Sequence, residues 1–486
     1  MKKLTVWALL ATLVVAGSAF AKPQVAANAT FPTGAPATTN NDDSCDIGVA
    51  PAATLLLPYF EVDNNRTGET TLFTITNTSQ YPHIAHVVLW TDFSYPVIDF
   101  NIYLTGYDVQ SINLWDVIWD GVIAPAAGAR NVNGTGTVTS TGTGTGDFVE
   151  PEPGSEQDFD DCGVLLGRLP DFYVERMQSA FTEGEVAAVP GDDDFEGCEQ
   201  VGNPHDNAVG YATIDVVNFC GTGLPTDGDE YFTDEIRFDN VLIGDYQQVN
   251  PAAAFAQGNP LVHIRAIPEG TGNPGEGLDT NFDRTFYSRY QEDGNTLDRR
   301  QPLPSTFAAR WINGGTGQFN TFFKIWREGI NTGLDCDELP ENGALVVTES
   351  VAFDEDENGL GVAGAEIIVS PAIGAEDIVL PETSLTAAGD EDVFPQETFE
   401  DSTAGWLYLN LDNGFDEEAE AGAGADFASQ NWVIVSLRAQ GTYSVDFDAA
   451  WLGNGCTPIT ETSDFTETGG PMPGPAEDET PDPVVP

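Results

Sequence analysis

Lysine is almost absent from this chain. Beyond residue 21 only Lys22 and Lys324 occur, and basic residues total 17 against 78 acidic ones, for a formal net charge of −61. A surface so short of positive charge repels phosphate backbones and anionic membranes, which excludes nucleic acid as a partner. Histidine is also scarce, with four residues: His83, His86, His205 and His263. The chain contains no H-E-x-x-H, no G-x-S-x-G, no P-loop and no dinucleotide-binding glycine fingerprint. It has no C-x-x-C, so neither a thioredoxin-type site nor a zinc ribbon is supported. After residue 21 no apolar run approaches the length of a membrane-spanning helix.

What is present begins with a leader. In MKKLTVWALLATLVVAGSAFA, residues 1–21, Lys2 and Lys3 precede an apolar stretch from Leu4 to Ala16, and Ala19-Phe20-Ala21 fits a small-x-small cleavage pattern. The sequence predicts an exported protein, periplasmic, cell-surface or extracellular, whose mature chain starts at Lys22. Residues 22–44 are rich in Ala, Thr, Asn and Pro and lack apolar periodicity, so a disordered lead-in is expected. The acidic, Pro-rich segment 457–486 reads as a disordered tail. Cys45, Cys162, Cys198, Cys220, Cys336 and Cys456 form an even set in an exported chain, which favours disulfides. Nearest-neighbour pairing gives Cys198–Cys220, Cys336–Cys456 and Cys45–Cys162, but spacing alone does not select it.

Between Cys45 and Cys456 the dominant pattern is short β-rich runs divided by turn residues. Ala53 to Phe60, Thr70 to Asn77, His86 to Trp90 and Ile98 to Leu104 come first. Val209 to Phe219, Leu261 to Ala266, Thr306 to Ile312 and Asn320 to Trp326 follow. Leu345 to Phe353, Ile367 to Ser370, Gly405 to Leu411, Trp432 to Ala439 and Tyr443 to Phe447 complete the series. Ser111 to Asp120 has helical spacing. Leu169 to Gly184 predicts a longer helix, with Asp171 as N-cap and Phe172, Val174, Met177 and Phe181 as its apolar stripe. The expected fold class is all-β, mainly an antiparallel β-sandwich of immunoglobulin-like or jelly-roll type, with a few short helices. The length suits two sandwiches: one over 45–330 with a flexible Gly/Thr-rich loop at 131–161, and a second over 331–456, separate from or integral with the first.

The stretches CDIGVAPAATLLLPYFEVD, TLFTITNTS, AHVVLWTD, NIYLTGYDVQSINL, HDNAVGYATIDVVNFC, PLPSTFAARWINGG and YSVDFDAAWLGNGC resemble a group of exported bacterial β-rich proteins with no assigned activity. The likeness covers nearly all of Cys45 to Cys456. It implies one integral extracellular module and transfers no functional residue.

The sharpest local motif is Asp354-Glu355-Asp356-Glu357-Asn358-Gly359, which matches the opening of an oxygen-ligand calcium loop. Asp354, Asp356 and Asn358 are its candidate calcium ligands. The final bidentate acid of such a loop would fall on Ala365, with Glu366 one place late, so a full EF-hand is excluded. A minimal calcium turn or a plain acidic hairpin turn is left. Asp192 to Glu196 and Asp412 to Asp416 are weaker versions, read as a solvated loop and an ordinary turn. His83 and His86 are three apart, which on a strand sends them to opposite faces and makes a poor metal pair. Trp115 and Trp119 suit a sugar platform or, more commonly, core packing. Arg284, Arg289, Arg299 and Arg300 suit an anionic glycan or pairing with nearby aspartates.

No catalytic or cofactor-binding residue is assigned, and Ca2+ is the one candidate cofactor. The chain reads as an exported, highly acidic, non-enzymatic β-sandwich protein with a structural or adhesive surface role. An extracellular glycan or surface protein is its expected partner. The rival reading is a calcium-assisted glycan-binding module or glycan-degrading enzyme, supported by nine tryptophans and abundant acids. An outer-membrane β-barrel fits less well, because the chain ends in Pro-Asp-Pro-Val-Val-Pro rather than in a strand.

Overall fold

A computed structural model describes residues 47–123, 169–186, 197–198, 200–266, 285–290, 298–315, 318–329, 349–355, 381–388, 403–411, 430–439 and 444–451. The leader, the lead-in, the loop at 131–161, the run at Ile367 to Ser370 and the tail at 457–486 lie outside these residues. The described strands form four antiparallel sheets. Sheet I orders β4 (Pro96–Leu104), β3 (His83–Trp90), β6 (Ala208–Val217), β1 (Thr54–Val62) and β9 (Val262–Ile264). Sheet II orders β5 (Val109–Asn113), β2 (Thr70–Asn77), β7 (Leu242–Asn250) and β8 (Phe255–Pro260). Sheet III orders β12 (Glu349–Asp354), β14 (Ala404–Asn410), β10 (Thr306–Ile312) and β17 (Ala450–Trp451). Sheet IV orders β13 (Thr383–Ala387), β11 (Asn320–Arg327), β15 (Asn431–Arg438) and β16 (Ser444–Asp448). The molecule is all-β with a few short helices.

Local sequence explains how each sheet presents itself. β2, TTLFTITN, alternates in the way its residues predict: Phe73, Ile75 and Asn77 are buried, and Leu72, Thr74 and Thr76 are half-exposed. β3 and β6 do not alternate. Every residue of HIAHVVLW and AVGYATIDVV is buried, because both faces of sheet I are covered. On one face Leu55, Leu57, Ala85, Val87 and Leu89 pack with Phe73, Ile75 and Tyr246 of sheet II. On the other, Ala53, Leu56, Val88, Trp90 and Tyr211 meet an aromatic cluster that includes Tyr231, Phe232, Phe286, Tyr287 and Tyr290. β1 is interrupted by a bulge between Leu57 and Phe60. Pro58 sits at that point, where a missing backbone donor is tolerated.

Sheets III and IV make the second sandwich. Phe307, Trp311, Leu407 and Leu409 face Phe323, Ile325, Val433 and Val435. Sheet IV is also covered on its reverse side. Trp326 joins the aromatic cluster over sheet I, and Ile434 joins the core between sheets I and II. β10 and β11 precede the expected boundary at residue 331, and every strand they pair with follows it.

Helix α1 (Leu114–Ile118) starts at Asn113, whose side chain accepts from the backbone N–H of Trp115. Helix α2 (Asp171–Thr182) has Pro170 rather than Asp171 at its N-cap, with no side-chain cap bond. Val174, Met177 and Phe181 are buried, but Phe172 is exposed. Gly184 follows at φ +69°, where a Cβ would strike the Gly202 carbonyl. Among the described cysteines, Cys198 packs with Val186 and Val201, and Cys220 lies against the main core. Neither is free. Cys45, Cys162, Cys336 and Cys456 lie outside the described residues.

Two buried histidines make the fold sensitive to acid. Burial lowers both His83 and His263 to a pKa of about 4, so the folded protein holds them neutral. The unfolded chain protonates them near 6.5. The stability they leave intact above pH 6.5 is therefore lost as pH falls toward 4. His83 Nδ1 has no hydrogen-bond partner, so His83→Phe removes the penalty without orphaning a mate. Relative to the native chain, this variant should gain stability steadily from pH 6.5 to 4, up to about 3 kcal/mol. Parallel urea titrations check it, and a difference that does not change with pH contradicts it.

Candidate functional site

Strand register sets Asn101, His86, Asp215 and Thr54 side by side across four strands of sheet I. The row lies on the face under the aromatic cluster. Tyr231 and Tyr287 donate to Asp215 Oδ2 at 2.9 and 2.8 Å. Thr54 Oγ1 donates to Asp215 Oδ1 and accepts from Arg300 Nε. Arg300 Nη1 pairs with Asp298 Oδ1 at 3.0 Å, and Nη2 donates to the Arg237 carbonyl at 2.9 Å. Asp298 in turn accepts the backbone N–H of Tyr287 at 3.0 Å. Burial first, and Asp215 second, hold the Tyr231 and Tyr287 hydroxyls well above the ordinary tyrosine range, so both stay neutral donors.

A second buried network ties sheet I to sheet IV. Ser94 adopts φ +62° just beyond β3 and donates to Glu382, the residue ahead of β13. Arg289 Nη1 bonds Glu382 Oε2 at 2.8 Å, and its Nη2 reaches Ser94 Oγ at 3.1 Å. The Ser94 and Tyr211 hydroxyls lie 2.6 Å apart, and Tyr211 stacks on Trp90. Burial raises the Glu382 carboxyl, and Arg289 opposes that shift. Both networks are sealed from solvent and act as cross-braces.

Tyr231 and the Asn101 bond to the Gly221 carbonyl connect this row to the wall of a cavity of about 440 Å³. A 3-10 turn at Pro225–Asp227 and a π-helical turn at Tyr231–Glu235 form one side of it. Gly221, Gly223, Tyr231 and Glu235 make the inner wall, while the exposed acids Asp227, Glu230 and Asp234 stand at the rim. The Gly223 N–H donates to Glu235 Oε1 at 3.2 Å. A Cβ at Gly221 or Gly223 would overlap the Glu235 carboxylate and displace it, so glycine at both positions lets the carboxylate lie against the loop. Burial raises the Glu235 carboxyl, and the Gly223 N–H partly offsets it. Asn101 Nδ2 donates to the Gly221 carbonyl at 2.6 Å, and Asn101 Oδ1 lies 3.0 Å from His86 Nδ1. The His86 ring tilts against Tyr231, with centroids 6.3 Å apart.

The residues singled out from sequence have varied fates. Asp354 ends β12, while Asp356 and Asn358 lie outside the described residues, as do Asp192 to Glu196 and Asp412 to Asp416. Glu355 makes an exposed ion pair with Arg310 at 2.7 Å. His83 and His86 are both buried in β3 rather than joined at one centre. Trp115 and Trp119 are half-buried against the first sandwich's core. Arg66 lies 4.8 Å over the Trp115 ring and pairs with Asp116. Arg289 and Arg300 are enclosed with carboxylates, Arg299 lies over Phe238, and Arg284 is outside the described residues. Among the described residues no three His, Cys, Asp or Glu side chains converge as metal ligands. The cavity's only sequence signal is the paired glycines of CGTGLPTDGDEYFTDE, residues 220–235.

The fold and site define a double β-sandwich protein with charge-paired cross-braces and an acid-rimmed cavity. Compared with family models, curated proteins and solved structures, the chain matches none.

Removing one member of the sealed row tests its role. Arg300→Met keeps the volume but leaves Asp215 and Asp298 buried without their cation. We expect a loss of about 3–5 kcal/mol in urea unfolding. A loss below about 1 kcal/mol would contradict that role.

Proposed function

We propose that this is an exported, non-enzymatic surface protein, structural or adhesive in role, that works by presenting a rigid and strongly anionic body. The supporting observation is where positive charge goes. Among the described residues Arg237, Arg289, Arg300, Lys324 and Arg327 are buried, five of the chain's 17 basic residues. Arg289 is engaged by Glu382, Arg300 by Asp298, and Arg327 by the Leu411 carbonyl. Among the described residues the same interior encloses seven acids, a far smaller share of the chain's 78, so the exterior's ratio of acid to base is higher than that of the whole composition. Such a surface repels other polyanions and depends on salt to screen it. Its leader and its resemblance to exported bacterial β-rich proteins support export. Among the described residues no helix is long and apolar enough to cross a membrane. Calcium at Asp354, Asp356 and Asn358, disulfides among the six cysteines, and a glycan or surface-protein partner belong to the same proposal.

Two measurements bear on it. The melting temperature should climb with sodium chloride from about 0.05 to 1 M, as the Debye length shrinks to about 3 Å. A flat profile counts against a repulsive anionic surface. A panel of polysaccharides incubated with the protein should release no new reducing ends. Their release would overturn the non-enzymatic reading in favour of a glycan-degrading enzyme.

A further inference from the structure

We infer that the outer face of sheet III binds an uncharged polysaccharide, with the ring pair of Phe353 and Trp406 as its contact surface. The inference rests on the adhesive reading above and gives its glycan partner a site. Strand alternation sets the geometry. Phe307, Ala309 and Trp311 of β10, Ala352 of β12, and Leu407 and Leu409 of β14 point into the second core. Arg310, Phe353 and Trp406 alternate with them and so point the other way. Register lays Phe353, Trp406 and Arg310 in one row across β12, β14 and β10. The two rings stack, with centroids 4.0 Å apart and planes 10° from parallel. Both stay half-exposed.

Other tryptophans of this protein are used differently. Trp90, Trp311 and Trp326 belong to core clusters, and Trp115, Trp119 and Trp432 pack against them. Trp406 and Phe353 join none of the clusters formed among the described residues. An aromatic pair left facing water on a sheet and rimmed by polar groups marks a binding surface. The rim here is Arg310 and Glu355, an exposed ion pair that reaches across β14 at 2.7 Å.

The chemistry of this surface selects the ligand. A pyranose ring has a face of C–H bonds that lies against an aromatic ring. It also has a rim of hydroxyls that exchange hydrogen bonds with a guanidinium and a carboxylate. The Arg310–Glu355 pair is neutral in sum, so the site adds no charge of its own. A polyanion approaching it meets a chain of net charge −61, and so does a second copy. The described strands of sheet III span roughly 14 by 20 Å. That is well short of the about 800 Å² per partner of a stable protein interface. An uncharged chain of sugar rings meets neither obstacle. A sheet face has no walls to enclose a single sugar, so contact must be summed along a polymer.

The test is affinity electrophoresis of the full chain through native gels containing hydroxyethylcellulose, galactomannan or xyloglucan, with alginate as the charged counterpart. Retardation by at least one of the three uncharged polymers is expected, and none by alginate. Trp406→Ala should weaken it about tenfold, whereas Trp406→Phe keeps a ring and should retain most of it. Arg310→Gln leaves both rings in place and should weaken it severalfold, which guards against a folding defect in Trp406→Ala. Phe172→Ala, at an exposed aromatic on α2, should change nothing. No retardation by any of the three polymers, or retardation by alginate alone, would overturn the proposal. Equal weakening by Phe172→Ala and Trp406→Ala would show general adsorption and overturn it too. Retardation untouched by Trp406→Ala and Arg310→Gln would overturn this site and leave the adhesive reading standing. Retardation lost in Trp406→Ala, with reducing ends released from the polymer, would uphold the site and overturn only the non-enzymatic reading.

Discussion

The inner strands of sheet I have no solvent face, and much of the molecule answers to that constraint. β3 and β6 are buried at every residue, so a charged side chain on them is costly unless it is paired inside the protein. Asp215 is such a residue. Its charge calls for Arg300, and Arg300 in turn calls for Asp298, Thr54 and the Arg237 carbonyl. Two tyrosines complete the carboxylate's shell. These partners come from β1, from the π-helical turn and from the segments around 287 and 298–300. One buried carboxylate thus anchors otherwise irregular chain over the sheet.

The same rule joins the two sandwiches. Glu382 leads into β13 of sheet IV, and its partners Ser94, Arg289 and the Asp92 carbonyl belong to the first sandwich or its covering segments. Trp326 and Ile434 add apolar contact across the same junction. An acid-rich chain with few basic residues places a large share of them in its interior.

Much of the sheet framework was legible residue by residue. Thr70–Asn77 and Thr306–Ile312 form strands with the bounds their alternation predicts. β7 escaped notice because its inward positions include Gln248 beside Leu242 and Tyr246, which hides the period of two. β8 has the buried polar Gln257 at the matching place. Spacing puts Phe172 on the apolar stripe of α2, but the helix turns it outward. The site was not legible. Its members stand at 54, 86, 101, 215 and 300, and only strand register brings them together. Arg299 and Arg300 are neighbours in sequence and both lie over the Phe238 ring, but only Arg300 is fully enclosed. Glu235 was hidden by composition, since one acid among 78 carries no signal until its burial is known.

If the doubly covered sheet is the stability centre, it should open last. Native-state hydrogen exchange resolves this directly. Amides of β1, β3 and β6 should exchange only through global unfolding, with the full denaturant dependence of the whole molecule. β5, β8 and β12, at sheet edges, should exchange earlier through smaller openings. If the slowest amides instead lie in sheet III, or if β3 and β6 exchange through a local opening, sheet I is not the centre of this structure.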